Sequence, residues 1–285
     1  MSVVVLRDAA VREPSADGIA DLFPWKPSLA LVRGLEWRAV HRRRAHIAFP
    51  VLDLGCGDGA IARLFFGDGD VVGLDVRADV LPDARRTLGR AVRGDARGLP
   101  FADAVYATVF GNCAVEHFPD VDLCLREIAR VLRPGGVFLA TVPSGHWKAL
   151  HVWSRVLVPL GLGGLARCLV EAHDRRVEHR NLFHPGEWSR RLREAGLTPV
   201  AVDPYLGPAN ACLVTLLEDL LALPFPCPGF WTESGAYYFA RGVLRRLGGA
   251  GTVRRLTRRV VARRWMRDDA PDGLSAGLLV VAERS

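Results

Sequence analysis

Residues Val51 to Ala60 read VLDLGCGDGA, and the chain then runs into AIARLFF. Four strand-type positions, three glycines at alternating places and an apolar helical stretch form a strand–loop–helix unit that binds ligands. The glycines let the backbone pass close to a bound molecule, and the helix N-terminus offers free N–H groups. Gly55, Gly57 and Ala60 also satisfy the dinucleotide pattern G-x-G-x-x-G/A, so the loop alone admits NAD among its ligands.

The rest of the chain repeats the same alternation. Strands are expected at Val51–Leu54, Val71–Asp75, Ala91–Val92, Val105–Phe110, Val137–Val142, Thr198–Val202 and Gly277–Ala282. Helices are expected from Ala60, over Val80–Leu88, over Val121–Leu132 and from Pro185 to a stop at Gly196, with the RPGG of 133–136 turning tightly into the fifth strand. This rhythm predicts an α/β fold with a mostly parallel, doubly wound sheet of seven strands. Ligands of such sheets sit at the carboxyl ends of the strands, beside strand one. Residues 1–27 read as a loose arm, and Ser28 is placed to cap a helix carrying Leu31, Leu35 and Val40 near one face. The expected division is thus an arm and helix over 1–47 and a core over 48–203 and 276–285. Helical insertions over 144–184 and 204–275 complete it.

Two carboxylates narrow the ligand. Asp75 lies twenty positions after Gly55, at the end of the second strand, where it can accept both hydroxyls of a ribose. Asp53 sits two residues before the first glycine. It would repel a pyrophosphate but suits a ligand carrying an ammonium and a sulfonium. The segments VLDLGCGDGA, VVGLDV, GDARGLPFADAVYATVFGNCAVEHFPD and LREIARVLRPGGVFLATVPS follow in this order. As a set they resemble the class I S-adenosylmethionine-dependent methyltransferases, most of all the ubiquinone/menaquinone-biosynthesis (methyltransferase type 11) branch. The likeness covers about 48–145 and resumes weakly at EWSRRLREAGL and the final strand.

That resemblance implies a Rossmann-like sheet with its last strand antiparallel, and S-adenosylmethionine as cofactor. It implies that Asp53, Gly55, Cys56 and Gly57 line the methionine end of the cofactor and that Asp75 holds the ribose. Val76 would pack on the adenine, Asp95 and Ala96 would meet its edge, and Asn112 would approach the methionyl group. Acid–base candidates for the acceptor are His117, in VEHFPD, and His179 and His184, in EHRNLFHPGEW. His146, His151 and Tyr205 are further groups at the mouth. No metal is expected, because the six cysteines form no C-x-x-C pair and no cluster with zinc spacing.

The chain of 285 residues carries a net charge of +7, nearly all of it arginine, since Lys26 and Lys148 are the only lysines. Nucleic acid is nonetheless not the expected substrate. The place where amino-directed base methyltransferases carry (D/N)-P-P-(Y/F) reads GNCA, and no RNA-binding module is appended. The apolar tract ACLVTLLEDLLALPFPCPGFW and the arginine-rich helix 253–265 point instead to a lid over a hydrophobic small-molecule acceptor, lipid-like, prenylated or polyketide-like, with room for an anionic group. The expected reaction is methyl transfer to oxygen or carbon. A methyltransferase-fold cyclase or non-methylating binder, an RNA methyltransferase and an NAD-dependent oxidoreductase are the other readings. The expected place is the cytoplasm, since the six cysteines form no disulfide framework and the N-terminus reads as no signal peptide. The arginine-rich helix would offer a peripheral contact with membrane.

Overall fold

The computed structural model describes residues 11–24, 26–222, 250–265 and 274–285. Seven strands among these residues form one sheet in the order β3-β2-β1-β4-β5-β7-β6. They are β1 (Val51–Leu54), β2 (Val71–Asp75), β3 (Ala91–Arg93), β4 (Tyr106–Asn112), β5 (Leu132–Pro143), β6 (Leu197–Pro204) and β7 (Gly277–Arg284). β7 runs antiparallel between β5 and β6, as the resemblance implies, and the other pairings are parallel.

Alternate residues of each strand feed two cores, because successive side chains leave a strand on opposite faces. Leu52, Leu54, Phe138, Ala140 and Val280 join one core with Leu125 and Ile128 of α5 (Val121–Val131) and Trp188 of α9 (Pro185–Glu194). Val51, Phe110, Leu139 and Val281 join the other. There they meet Leu31, Leu35 and Trp37 of α2 (Pro27–Arg42) and Phe65 and Phe66 of α3 (Ala60–Phe66), with Trp37 stacked on Phe65 at 5.6 Å. α4 (Leu81–Leu88) packs beside β2 and β3.

Four expectations change. Residues 1–27 are not all a loose arm: Ser15 caps a helix, α1 (Ala16–Leu22), by accepting from the Gly18 N–H at 2.8 Å. Ser28 does not cap α2, which begins at Pro27 with Lys26 before it; proline presets the first-turn φ there, and Ser28 is buried inside the turn. β4 extends through Asn112, so that residue ends the strand rather than following it. Residues 133–136 bulge within β5, where Leu132 pairs with Tyr106 and Val137 with Thr108.

Beyond β5 lie α6 (Trp147–Leu150), α7 (Val152–Leu157) and α8 (Gly163–Val177), then α10 (Pro208–Ala222) after β6. Of the expected lid tract, 223–231 lies outside the described residues. The arginine-rich helix, α11 (Ala250–Trp265), packs on α1 and α2. Val261 and Thr257 are buried there, and Arg254 and Arg258 pair with Asp21, Arg258 also with Asp17. No helix among the described residues is long and apolar enough to cross a membrane.

Candidate functional site

The carboxyl ends of β1, β2 and β4 meet where the strand order reverses, and the glycine loop spans that point. Gly55 has φ +68°, and a Cβ on it would stand 2.7 Å from Ala114 Cβ, so only glycine fits. Gly57 has φ +54° with open space around it. Its N–H donates to Asp75 Oδ2 at 2.9 Å, and the Arg77 N–H donates to Asp75 Oδ1 at 2.9 Å. The loop is thereby tied to the end of β2. Cys56 is buried under the loop, and burial, with Asp53 and Asp75 nearby, pushes its thiol pKa up, so it is an inert filler.

Asp53 is buried. Burial, and then the charge of Asp75, push its carboxyl up to about 8. The exposed Arg77 guanidinium reaches Asp75 only at 3.9 Å and no ion pair to Asp53 is formed among the described residues, so the buried Asp53 carboxyl favours a positively charged ligand. Next to them Val76 is 60% exposed, an uncovered apolar side chain at a strand end. Asp95 accepts the Arg97 N–H at 2.9 Å and pairs with the Arg97 guanidinium at 2.7 Å, which holds its carboxyl below the usual range. Ala96 beside it is buried.

Asn112 connects this edge to a polar cluster on α2. Its Nδ2 donates to Glu36 Oε2 at 2.7 Å and to Thr141 Oγ1 at 2.6 Å, while its buried Oδ1 has no partner. Glu36 is fully buried and accepts from three more donors: Arg33 Nη1 at 2.8 Å, Cys113 Sγ at 2.9 Å and the Tyr205 hydroxyl at 3.2 Å. This one carboxylate fastens α2 to the ends of β4 and β6.

A cavity of about 200 Å³ opens on the other side of Cys113. Val32 and Arg33 of α2, Glu116 and His117 after β4, Trp147 of α6, Tyr205 after β6 and Val214 of α10 bound it. Arg176 of α8 and His179 just beyond close the far side. Glu116 is buried with Oε2 unpartnered, and burial pushes its carboxyl up to about 8. His117 Nδ1 lies 3.1 Å from the Glu178 carbonyl, so that nitrogen carries the proton. His179 stacks on His117 at 5.9 Å, and burial, then His117, lower it to about 4. His117 and His179 therefore meet at one wall. His184 does not join them: it is exposed, precedes α9 and packs edge-on against His146 at 4.6 Å.

Behind this wall His151, His173 and Asp219 bring ligand-type atoms within 4.8 Å of one another. Asp219 is already satisfied there. It accepts from Trp153 Nε1 at 2.6 Å, from Arg176 and from His173 Nδ1 at 2.9 Å. Arg176 is thus the cation of this cluster, and the network clamps α7 and α8 to α10.

Sequence reasoning did not find Arg33, Glu36 or Arg176. The one local signal was a charged i, i+3 pair set in the apolar run LALVRGLEWRAV.

Residues 52–140 match the family described as "Methyltransferase domain". A fatty-acid O-methyltransferase of Mycolicibacterium smegmatis is 34% identical over 139 residues, 46% of this chain and 50% of that protein. A malonyl-[acyl-carrier protein] O-methyltransferase of Serratia marcescens is 30% identical over 184 residues, 59% of this chain and 72% of that protein. The chain spans about half the length of several of the curated relatives it matches. Among solved structures, geranyl diphosphate methyltransferase in complex with S-adenosylmethionine shares the fold, with a TM-score of 0.51 at 16% identity over 90% of each chain. Strand order, glycine loop and relatives agree: the chain belongs to the class I S-adenosylmethionine-dependent methyltransferases. S-adenosylmethionine is the cofactor that goes with that membership.

Proposed function

We propose that the chain moves the methyl group of S-adenosylmethionine onto a carboxylate oxygen of an apolar acid, forming a methyl ester. The cofactor's roles are assigned along the strand ends. Asp75 takes the ribose hydroxyls with the lone pairs left over from Gly57 and Arg77. Val76 is the adenine platform, with Asp95 and Ala96 at the ring edge. Asp53 and the loop Gly55–Gly57 take the methionine end, and the unpartnered Asn112 Oδ1 suits its ammonium.

The observation that carries the acceptor is the polar end of the cavity. Arg33 offers a guanidinium, and Glu116, held protonated below pH 8, offers a hydroxyl beside it. Both recognise a carboxylate. The apolar walls from Val32, Trp147 and Val214 suit its tail. A carboxylate is already deprotonated near neutral pH, so the reaction needs no base. The acceptor oxygen attacks the methyl carbon as the carbon–sulfur bond breaks, the electron pair stays on sulfur, and no proton moves. The enzyme's work is alignment and exclusion of water. His117 and His179 then line the wall rather than act as acid or base. The two O-methyltransferase relatives, named for a fatty acid and for malonyl-[acyl-carrier protein], support the same class.

The test is a panel of medium-chain acids with the matching alcohols, amides and phenols, incubated with methyl-labelled cofactor. Methyl esters from the acids are expected, and labelled phenol ethers alone would reject the carboxylate reading. Arg33→Lys, which keeps the positive charge beside Glu36 but gives up the guanidinium fork, should raise KM for the acid roughly tenfold, the loss of a charge-assisted hydrogen bond.

A further inference from the structure

The turn joining α7 to α8 reads RVLVPLGLGGLARC over 155–168. Eleven of these fourteen residues are exposed. Val156, Val158, Leu160, Leu162 and Leu165 stand 48%, 54%, 67%, 47% and 51% exposed. Elsewhere among the described residues only Val76, Val200 and Leu274 are large, apolar and comparably open. Single exposed apolar side chains are ordinary, but five within ten residues mark a contact surface.

Charge selects the partner. Between Val152 and Val170 the chain carries Arg155 and Arg167, both exposed, and no acidic residue; Glu171 comes one turn later. The tip is thus apolar at its end and basic at its collar. Its apolar residues are exposed in close succession around the turn rather than along one helix stripe, which suits an isotropic apolar medium better than a shaped groove. Its root is firm, since Trp153 and His173 are both bonded to Asp219 of α10. α8 then runs from this tip to Arg176 and Val177 at the cavity.

We infer that the 155–168 tip inserts into the interface of an anionic lipid bilayer, with Arg155 and Arg167 at headgroup level. This docking stands apart from the acceptor reading and holds whatever group is methylated. It also differs from a contact through α11, where Arg254 and Arg258 are engaged with α1.

Flotation of the full chain tests it, using phosphatidylcholine vesicles with and without about a third phosphatidylglycerol at physiological salt. The chain should float with the anionic vesicles and only weakly with the neutral ones. The Val158→Ser/Leu160→Ser/Leu162→Ser variant should lose that binding while keeping wild-type affinity for S-adenosylhomocysteine, which reports an intact fold. Arg155→Gln/Arg167→Gln should weaken it roughly thirtyfold, from ~1 kcal/mol per basic residue. Arg259→Gln/Arg263→Gln on α11 should leave it unchanged. Leu160→Trp should shift its emission to the blue on anionic vesicles. Wild-type chain that stays at the bottom of the gradient overturns the inference, and so does loss of binding in the α11 variant but not the tip variant. A tip variant that turns a dimer into a monomer, with no vesicle binding by the wild type, would assign the surface to a second copy instead.

Discussion

Asp53 holds its proton at neutral pH because it is buried beside Asp75. A ligand bearing an ammonium and a sulfonium reverses that balance, since positive charge favours the carboxylate. Binding of S-adenosylmethionine should therefore release about one proton per site near pH 7, by linkage. The sign follows: affinity weakens as pH falls below 8, at most about tenfold per unit, until the pKa of the bound state is reached. Titration calorimetry at pH 7 in buffers of different ionisation heat measures the release directly. In Asp53→Asn the release should vanish. Proton uptake, or none in the wild type, would place the cation elsewhere.

At the scale of elements, the junction of α2 with β4 and β6 rests on Glu36. Its four donors come from three separate parts of the chain, and Arg33 is its counter-ion. Glu36→Ala would leave a buried guanidinium uncompensated and the Asn112, Cys113 and Tyr205 donors orphaned. The expected loss is about 3–5 kcal/mol in urea denaturation, the range for a broken buried pair. A loss under about 1 kcal/mol would mean that water enters and replaces the carboxylate. This junction also marks where sequence reasoning stopped. The glycine loop was legible because its needs are local: positive φ at Gly55 and Gly57 and a strand before them. The strands were legible because alternate residues supply two cores. Glu36 was not, since its partners Asn112 and Tyr205 lie 76 and 169 residues away and only the folded sheet brings them together. The α1 helix was missed for a different reason: seven residues are too short for a clear period.

For the whole molecule, four groups shifted by burial set how stability follows pH. Asp53 and Glu116 are raised from 3.8 and 4.5 to about 8, so the native state keeps two protons that the unfolded chain loses by about pH 5. His151 and His179 are lowered from 6.5 to about 4, so the unfolded chain holds two protons there that the native state lacks. Between about pH 4.5 and 6.5 these contributions oppose each other and stability should be nearly flat. Above 6.5 the histidines are neutral in both states and only the carboxyls act. Stability should then fall toward pH 8, by up to about 2.7 kcal/mol per unit for two protons. Below pH 4 it falls again, as Asp21, Asp95, Glu127 and Asp219, whose carboxyls lie below their ordinary values, take up protons. Urea denaturation at fixed temperature from pH 3 to 8.5 traces the curve. Glu116→Gln should halve the slope above 6.5, and saturating S-adenosylmethionine should remove the share of Asp53. Stability that rises between pH 6.5 and 8 would show that neither carboxyl is held protonated in the fold.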